Sequence, residues 1–149
     1  MYRHYLRQFI LVLSIFLCTY GISSSSDLSI TVWKSPTCGC CQAWVDYLIK
    51  NDFNVTTHDV ADVVPIKNKL GLTNPELYSC HTAYINGYVI EGHVPISDIE
   101  KLLVERPNIL GITAPGMPLM SPGMNSITPK NYDVLQFNSK QQSEVFSSY

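Results

Sequence analysis

Three cysteines stand within four residues of the chain, at positions 38, 40 and 41, and a fourth follows at Cys80. Packing does not require thiols so close together, and neighbouring cysteines oxidise readily, so their spacing indicates chemistry. Thiolates are both nucleophiles and soft metal ligands, which gives two functional interpretations of the same residues. A third interpretation is a disulfide that only stabilises the fold, either Cys38–Cys41 or Cys40–Cys80.

The redox interpretation concerns Cys38 and Cys41, which have the C-x-x-C spacing of disulfide oxidoreductases. Both are expected on the first turn of a helix, where backbone N–H groups and the helix dipole favour a thiolate. A thiol-disulfide oxidoreductase that uses this pair is therefore the alternative function.

The metal interpretation uses all four cysteines and is the one we prefer. Adjacent Cys40 and Cys41 fit poorly to one closed tetrahedral site, because neighbouring side chains on a helix diverge by about 100°. Thiolates that bridge several ions use such a pair more naturally. For zinc we would expect two separated C-x-x-C or Cys/His ligand pairs, which are absent. Copper is favoured among soft metals by a group of later methionines, Met117, Met120 and Met124.

Two histidines and the three methionines are weaker ligand candidates. His81 follows Cys80 directly, and we favour it slightly as a hydrogen-bond partner that orients a ligand, over a ligand or an ordinary loop histidine. His93 could reach the same pocket or simply bond to the backbone. The methionines could supply a thioether to Cu(I), or fill irregular apolar gaps in their loop.

The elements that must position these residues follow from hydrophobic patterning. Alternation predicts strands over residues 28–33 and 53–60, and apolar periodicity predicts helices over about 39–51, after an N-cap at Thr37, and over 63–72. Asn86-Gly87 predicts a hairpin between two further strands. Ser97 and Glu100 form a capping-box pattern for a third helix that ends before Pro107.

The order β-α-β-α-β-β-α predicts a thioredoxin-like α/β domain, with a mixed sheet flanked by helices. In that fold the loop before the third strand lies against the start of the first helix, so Cys80 is expected to join the other three thiols. Residues 109–128 are rich in Pro, Gly and Met and predict an ordered but irregular extension. Residues 132–137 suggest an edge strand, and residues 138–149 a polar, flexible tail.

The chain of 149 residues suits one domain, and its formal net charge of −2, without a basic run, argues against nucleic acid as a partner. Residues 1–26 predict a cleaved signal peptide, because Arg3 and Arg7 precede an apolar run that ends in four serines. We expect export to the periplasm or beyond, and no stable membrane span after cleavage. The alternative is an uncleaved N-terminal anchor, whereas Leu17 argues against lipid attachment at Cys18. The thioredoxin-like domain is then assigned to residues 27–137.

Several separated motifs occur in the order found in one known family. They are Cys38-Gly39-Cys40-Cys41 with Trp44-Val45, residues 79–83, residues 87–95 and the two Pro-Gly-Met repeats. With these motifs the chain resembles the CopG-type periplasmic copper-resistance family of metal-binding proteins.

The resemblance implies a thioredoxin-like domain that binds Cu(I) as a multinuclear thiolate cluster through Cys38, Cys40, Cys41 and Cys80. It also implies a role in copper handling, resistance or copper-coupled redox, with copper donor or acceptor proteins as partners. We therefore expect a metal-binding protein more than an enzyme, with copper or thiol oxidoreductase activity as the alternative. No proline stands before the third strand, unlike in thioredoxins, which disfavours general dithiol exchange with protein substrates.

Overall fold

A computed structural model describes residues 28–126 and 128–149 of the chain. The predicted signal peptide, with Cys18, lies outside the described residues. Within the described ranges, no helix combines the length and the apolar character that crossing a membrane requires.

The elements follow the predicted order as far as the third helix, which confirms the predicted thioredoxin-like class. Beyond that helix the chain adds three strands. In chain order the helices and strands are β1 (Ser29–Lys34), α1 (Gly39–Lys50), β2 (Asn54–Asp59), α2 (Val64–Lys69), a 3-10 turn (Pro75–Leu77), β3 (Thr82–Ile85), β4 (Tyr88–Gly92), α3 (Ile96–Glu105), β5 (Gly111–Ala114), β6 (Asp133–Phe137) and β7 (Ser143–Ser148).

All seven strands form one open sheet in the order β2-β1-β3-β4-β5-β6-β7. β1 is parallel to β2 and β4 to β5, while the other neighbours are antiparallel. The sheet is therefore mixed, as predicted.

Strand pairing brings distant parts of the chain together at one end of the central strands. Trp33, near the end of β1, lies opposite Thr82 at the start of β3, and Thr82 lies opposite Glu91 near the end of β4. Gly92 in turn pairs with Ala114 at the end of β5. The segments after β1, before β3, after β4 and after β5 therefore meet at this end of the sheet, and they contain all the candidate site residues.

The core lies between the sheet and the apolar face of α1. Trp44, Val45 and Leu48 are buried there at helical spacing, as predicted for this helix. The Trp44 indole N–H donates to the carbonyl of Val94 at 2.9 Å, so the one polar atom of this buried ring is satisfied. This contact also ties α1 to the segment that follows β4.

The hairpin between β3 and β4 forms as predicted. Asn86 and Gly87 both have positive φ, at 48° and 96°, which matches the two-residue turn that suits the twist of antiparallel strands. This turn fixes the register that places Thr82 opposite Glu91.

Both predicted helix caps differ from the structure. The N-cap of α1 is Cys38, whose sulfur accepts a hydrogen bond from the backbone N–H of Cys41 at 3.4 Å, while the Thr37 hydroxyl pairs with Ser35. Helix α3 begins after Pro95 without a side-chain cap, so the predicted capping box at Ser97 was wrong. The Ser97 hydroxyl bonds instead to Tyr149, because β7 lies against this helix.

Residues 109–128 are not irregular throughout, because they contain β5. All four β5 residues are buried between β4 and β6, and a side chain at Gly111 would collide with the backbone of Val89. The glycine that suggested a loop is therefore needed for the close approach of two strands.

The prediction of a flexible tail over residues 138–149 was also wrong, and the domain extends past residue 137. β7 pairs along β6, and Phe146 packs against the main core with the Lys101 ammonium 4.2 Å above its ring. The serine-rich composition of this segment predicted a flexible, solvent-exposed tail. Backbone pairing with β6 instead holds it in the sheet. β6 itself forms over the predicted residues, though it is covered by β7 and is not an edge.

Candidate metal centre

The sulfur atoms of Cys38, Cys40, Cys41 and Cys80 all lie within 4.8 Å of one another. The first three are carried on the N-cap and first turn of α1, and Cys80 arrives through the loop before β3. The Sγ atoms of Cys41 and Cys80 are 3.3 Å apart, although 39 positions separate them in the chain. The fold thus brings together the four cysteines, which lie on segments at the same end of the central strands.

Two of the four cysteines form a disulfide. Cys38 and Cys41 are bonded to each other, while Cys40 and Cys80 are free thiols. The Cys40 sulfur lies 3.5 Å from that of Cys38. The C-x-x-C pair is therefore able to close, and the adjacent Cys40 stays outside the bond.

The Cys80 thiol lies in a partly buried environment. Its burial, and next the neighbouring Cys40, raise the pKa of Cys80 to about 11. Cys80 is therefore a protonated thiol at neutral pH in the metal-free protein, and a metal that binds it must displace a proton.

His93 is oriented towards the sulfur cluster by a backbone carbonyl. Its Nδ1–H donates to the carbonyl of Pro122 at 2.8 Å, and its Nε2 lies 3.2 Å from the Cys80 sulfur. The carbonyl fixes the tautomer, which leaves the Nε2 lone pair facing the thiol. Burial lowers the pKa of His93, so the imidazole is in the neutral form that binds metals.

His81 lies directly behind Cys80 and is fully buried. Its Nδ1 is 3.4 Å from the Cys80 sulfur, and its ring packs between Trp44, at 4.5 Å, and His93, at 4.9 Å between centroids. The Nε2 atom has no hydrogen-bond partner, and burial holds the pKa of His81 well below its usual range. Cys80, His81 and His93 form a second group whose ligand atoms all lie within 4.8 Å.

Residues 115–124, called the methionine loop below, pack against the start of α1. Gly123 packs so closely that a side chain there would stand 2.7 Å from the backbone nitrogen of Trp44. Met117 is 56% exposed and Met120 36% exposed, while Met124 is half-buried. The loop is held by local hydrogen bonds, including one from the buried Ser121 hydroxyl to the Pro118 carbonyl at 2.6 Å.

A buried ion pair beside the site was not predicted from the sequence. Lys67 of α2 and Glu91 of β4 contact each other with side chains that are only 3% and 0% exposed. Burial raises the pKa of the Glu91 carboxyl, while Lys67 and further hydrogen-bond donors oppose that shift. The signal in the sequence was a carboxylate within an otherwise apolar strand, two positions before the candidate ligand His93.

The donor set fits a soft metal. Reduction of the Cys38–Cys41 disulfide would give four thiols at one place, with one neutral imidazole already oriented by a carbonyl. Thiolates favour Cu(I) and zinc over harder ions such as magnesium. With the disulfide closed, the same site has two free thiols and two imidazoles.

Comparison with known proteins gives one family match and two similar solved structures. The profile of a family described as a protein of unknown function, DUF411, matches residues 77–124. No curated protein sequence matches the chain.

The two solved structures are described as copper resistance protein copG, form 1 and form 2. Form 1 is 40% identical, with a TM-score of 0.75, and the match covers 83% of this chain and 98% of that one. Form 2 is also 40% identical, with a TM-score of 0.73, and the match covers 81% of this chain and 97% of that one.

Proposed function

Since the chain belongs to the CopG-type family of copper-resistance proteins, we propose that it binds copper at the cluster formed by Cys38, Cys40, Cys41 and Cys80. The observation that carries this proposal is the convergence of four sulfur atoms to within 4.8 Å, from segments far apart in the sequence. A fold that needed only one disulfide would have no use for two further thiols beside it.

We propose Cu(I) as the bound ion, held by bridging thiolates in a cluster of more than one copper. Thiolates stabilise Cu(I), and the adjacent Cys40 and Cys41 suit bridging better than closure around a single ion. His93 is proposed as an additional ligand because its Nε2 faces the cluster, and His81 as a packing and orienting partner. The methionines remain candidates for a thioether ligand.

Binding of copper by all four cysteines requires the Cys38–Cys41 disulfide to be reduced first. A dithiol reductant supplies the two electrons and two protons of that step and becomes a disulfide itself, and the two thiols formed then release their protons to the solvent as copper binds. The cellular role proposed is copper handling or resistance, with copper donor or acceptor proteins as partners and with export to the periplasm.

The test is anaerobic reconstitution of the reduced protein, without its first 26 residues, with Cu(I). We expect more than one copper per chain to remain bound against a moderate-affinity Cu(I) chelator, and fewer in Cys80→Ser. His58→Phe is a control, because His58 is exposed and stacks on Trp33 of β1 instead of contacting a candidate ligand. Loss of all copper to the chelator would contradict the proposal.

A second candidate function is thiol-disulfide oxidoreductase activity, favoured by the disulfide between Cys38 and Cys41. This activity predicts metal-free reduction of a disulfide substrate that is lost in Cys38→Ser and kept in Cys40→Ser. Copper retention without any such turnover would leave copper binding as the function of the site.

Export has a separate test. Expression of the whole chain with a C-terminal tag is expected to give periplasmic protein whose N-terminus lies after the serine run. A tagged chain that keeps its first residues and sediments with membranes would support the N-terminal anchor instead.

A further inference from the structure

We propose that the buried pair of Lys67 and Glu91 positions the Cys80-His81 segment, and that it thereby determines how tightly the cluster holds copper. This inference rests on the proposed copper binding and assigns its positioning residues.

The Glu91 carboxylate holds the chain on both sides of Cys80 and His81. One oxygen accepts from the backbone N–H of Ser79 at 2.6 Å, and the other accepts from the Thr82 hydroxyl at 2.7 Å. The two bonded residues are the immediate neighbours of the Cys80-His81 pair, so a single side chain fixes both ends of this short segment.

Lys67 adds two further contacts to this arrangement. Its ammonium contacts the same Glu91 oxygen that accepts from Ser79, and it donates to the Thr82 hydroxyl at 2.8 Å. Because Lys67 lies on α2 and Glu91 on β4, the pair connects a helix, a strand and the cysteine loop. The Ser79 hydroxyl also donates to the Gly116 carbonyl, which links the cysteine loop to the methionine loop.

Stability alone is a poor explanation for this pair. Replacing a buried ion pair by apolar residues of similar size is often neutral or stabilising, because removing two charges from water is costly. The Lys67 and Glu91 side chains are almost fully buried, yet both Glu91 oxygens accept hydrogen bonds from the segment that carries Cys80. A role in fixing the geometry of that segment accounts for both facts.

The first test is copper affinity in the double variant Lys67→Met/Glu91→Gln, which leaves no unpaired charge in the interior. Partners that orient metal ligands typically contribute about 10–100-fold in affinity, so we expect Cu(I) to be held at least about tenfold more weakly. Asp98→Asn is the matched control, since Asp98 is also a buried carboxylate but accepts from Tyr149 of the C-terminal segment at 2.9 Å. It should bind copper as the unaltered protein does.

The second test needs no metal and uses the 3.3 Å approach of the Cys41 and Cys80 sulfurs. In a Cys38→Ser background, oxidised glutathione accepts two electrons and two protons as a Cys41–Cys80 bond forms, and it is released as two thiols. We expect this bond, mapped by mass spectrometry, to form at least about tenfold more slowly when the Lys67→Met/Glu91→Gln changes are added, because Cys80 is no longer held in place and small misplacements of reacting groups lower rates strongly. Asp98→Asn should leave its rate unchanged.

The two assays separate this inference from the proposed function. If the unaltered protein retains no copper, copper binding is refuted, while the cross-linking assay still reports on the positioning role. If the folded double variant matches the unaltered protein in both copper affinity and cross-linking rate, the positioning role is wrong. Single variants of Lys67 or Glu91 are avoided, because each leaves a buried charge that favours unfolding.

Discussion

Cys40 and Cys41 are adjacent in the chain but differ in their surroundings. Cys41 is fully buried, bonded to Cys38 and 3.3 Å from the Cys80 sulfur. Cys40 is half-buried, free, and 3.5 Å from the Cys38 sulfur. Of the three cysteines at the start of α1, Cys40 is therefore the one that lies outside the disulfide.

This difference allows the two functions to be separated by substitution. We expect Cys40→Ser to keep the Cys38–Cys41 disulfide but to bind fewer copper ions. Cys41→Ser is expected to lose the disulfide and also to bind fewer copper ions. Free-thiol counting and metal analysis on the same samples measure the outcome. A full copper complement in Cys40→Ser would show that the adjacent thiol is no ligand.

His93 is expected to matter for copper affinity because its lone pair is directed at the cluster. We expect His93→Phe to weaken Cu(I) binding by at least about tenfold, because losing even a residue that only orients a metal ligand typically lowers affinity by about 10–100-fold. The matched control His58→Phe changes an exposed histidine on β2, which stacks on Trp33, and should leave binding unchanged. Equal effects of the two substitutions in chelator competition would remove His93 from the site.

At this scale the sequence predicts donors better than it predicts their surroundings. The cysteines were identified because closely spaced thiols are informative by residue type alone. The Pro122 carbonyl and the Lys67–Glu91 pair were not, because a backbone oxygen has no sequence signature and an ion pair 24 positions apart depends on the finished fold.

Among the elements, the methionine loop and α1 depend on each other through Gly123. The loop passes so close to the first helical turn that only a residue without a side chain fits, and Gly123 also has a φ of +84°. The neighbouring Pro122 supplies the carbonyl that orients His93. A change in the position of the methionine loop should therefore alter the orientation of the His93 imidazole.

Gly123→Ala is expected to lower the free energy of unfolding by about 1–3 kcal/mol more than Gly116→Ala does, because it adds a steric clash. Gly116 is a suitable control, with a φ of +68° but open space where its side chain would be. Urea denaturation of both metal-free variants measures the difference. Equal losses would mean that only the backbone conformation of Gly123 matters.

Elements with local patterns were predicted, and those that depend on neighbours were not. The alternation of β1 and the periodicity of α1 are visible in the sequence because each has one buried face. β5 consists of four buried residues that begin with glycine, and β7 is rich in serine, so neither carries a local strand pattern. Their conformation comes from pairing with β4 and β6.

At the scale of the whole molecule, the extension after α3 completes the sheet and adds a second apolar cluster. Phe137 of β6 is buried there with Leu72, Leu77 and Val89. This cluster joins the extension to the thioredoxin-like part of the fold, so the two are expected to unfold together.

Phe137→Ala is expected to lower the free energy of unfolding by about 3–5 kcal/mol, as for other large buried aromatic residues. Val145→Ala on β7 is the control, since its side chain is 55% exposed and its loss should change stability by less than about 0.5 kcal/mol. Urea unfolding followed by circular dichroism and by tryptophan fluorescence should give one shared transition. Separate transitions would show that the extension folds independently.

The burial of the four sulfurs gives the site an accessible side and a closed side. Cys38, Cys40 and Cys80 are half-buried, whereas Cys41, His81 and His93 are fully enclosed. Copper would then enter and leave the cluster on the side of the three half-buried cysteines. A protein that delivers copper and a protein that collects it would compete for one face, so loading and unloading would take place in turn and never together.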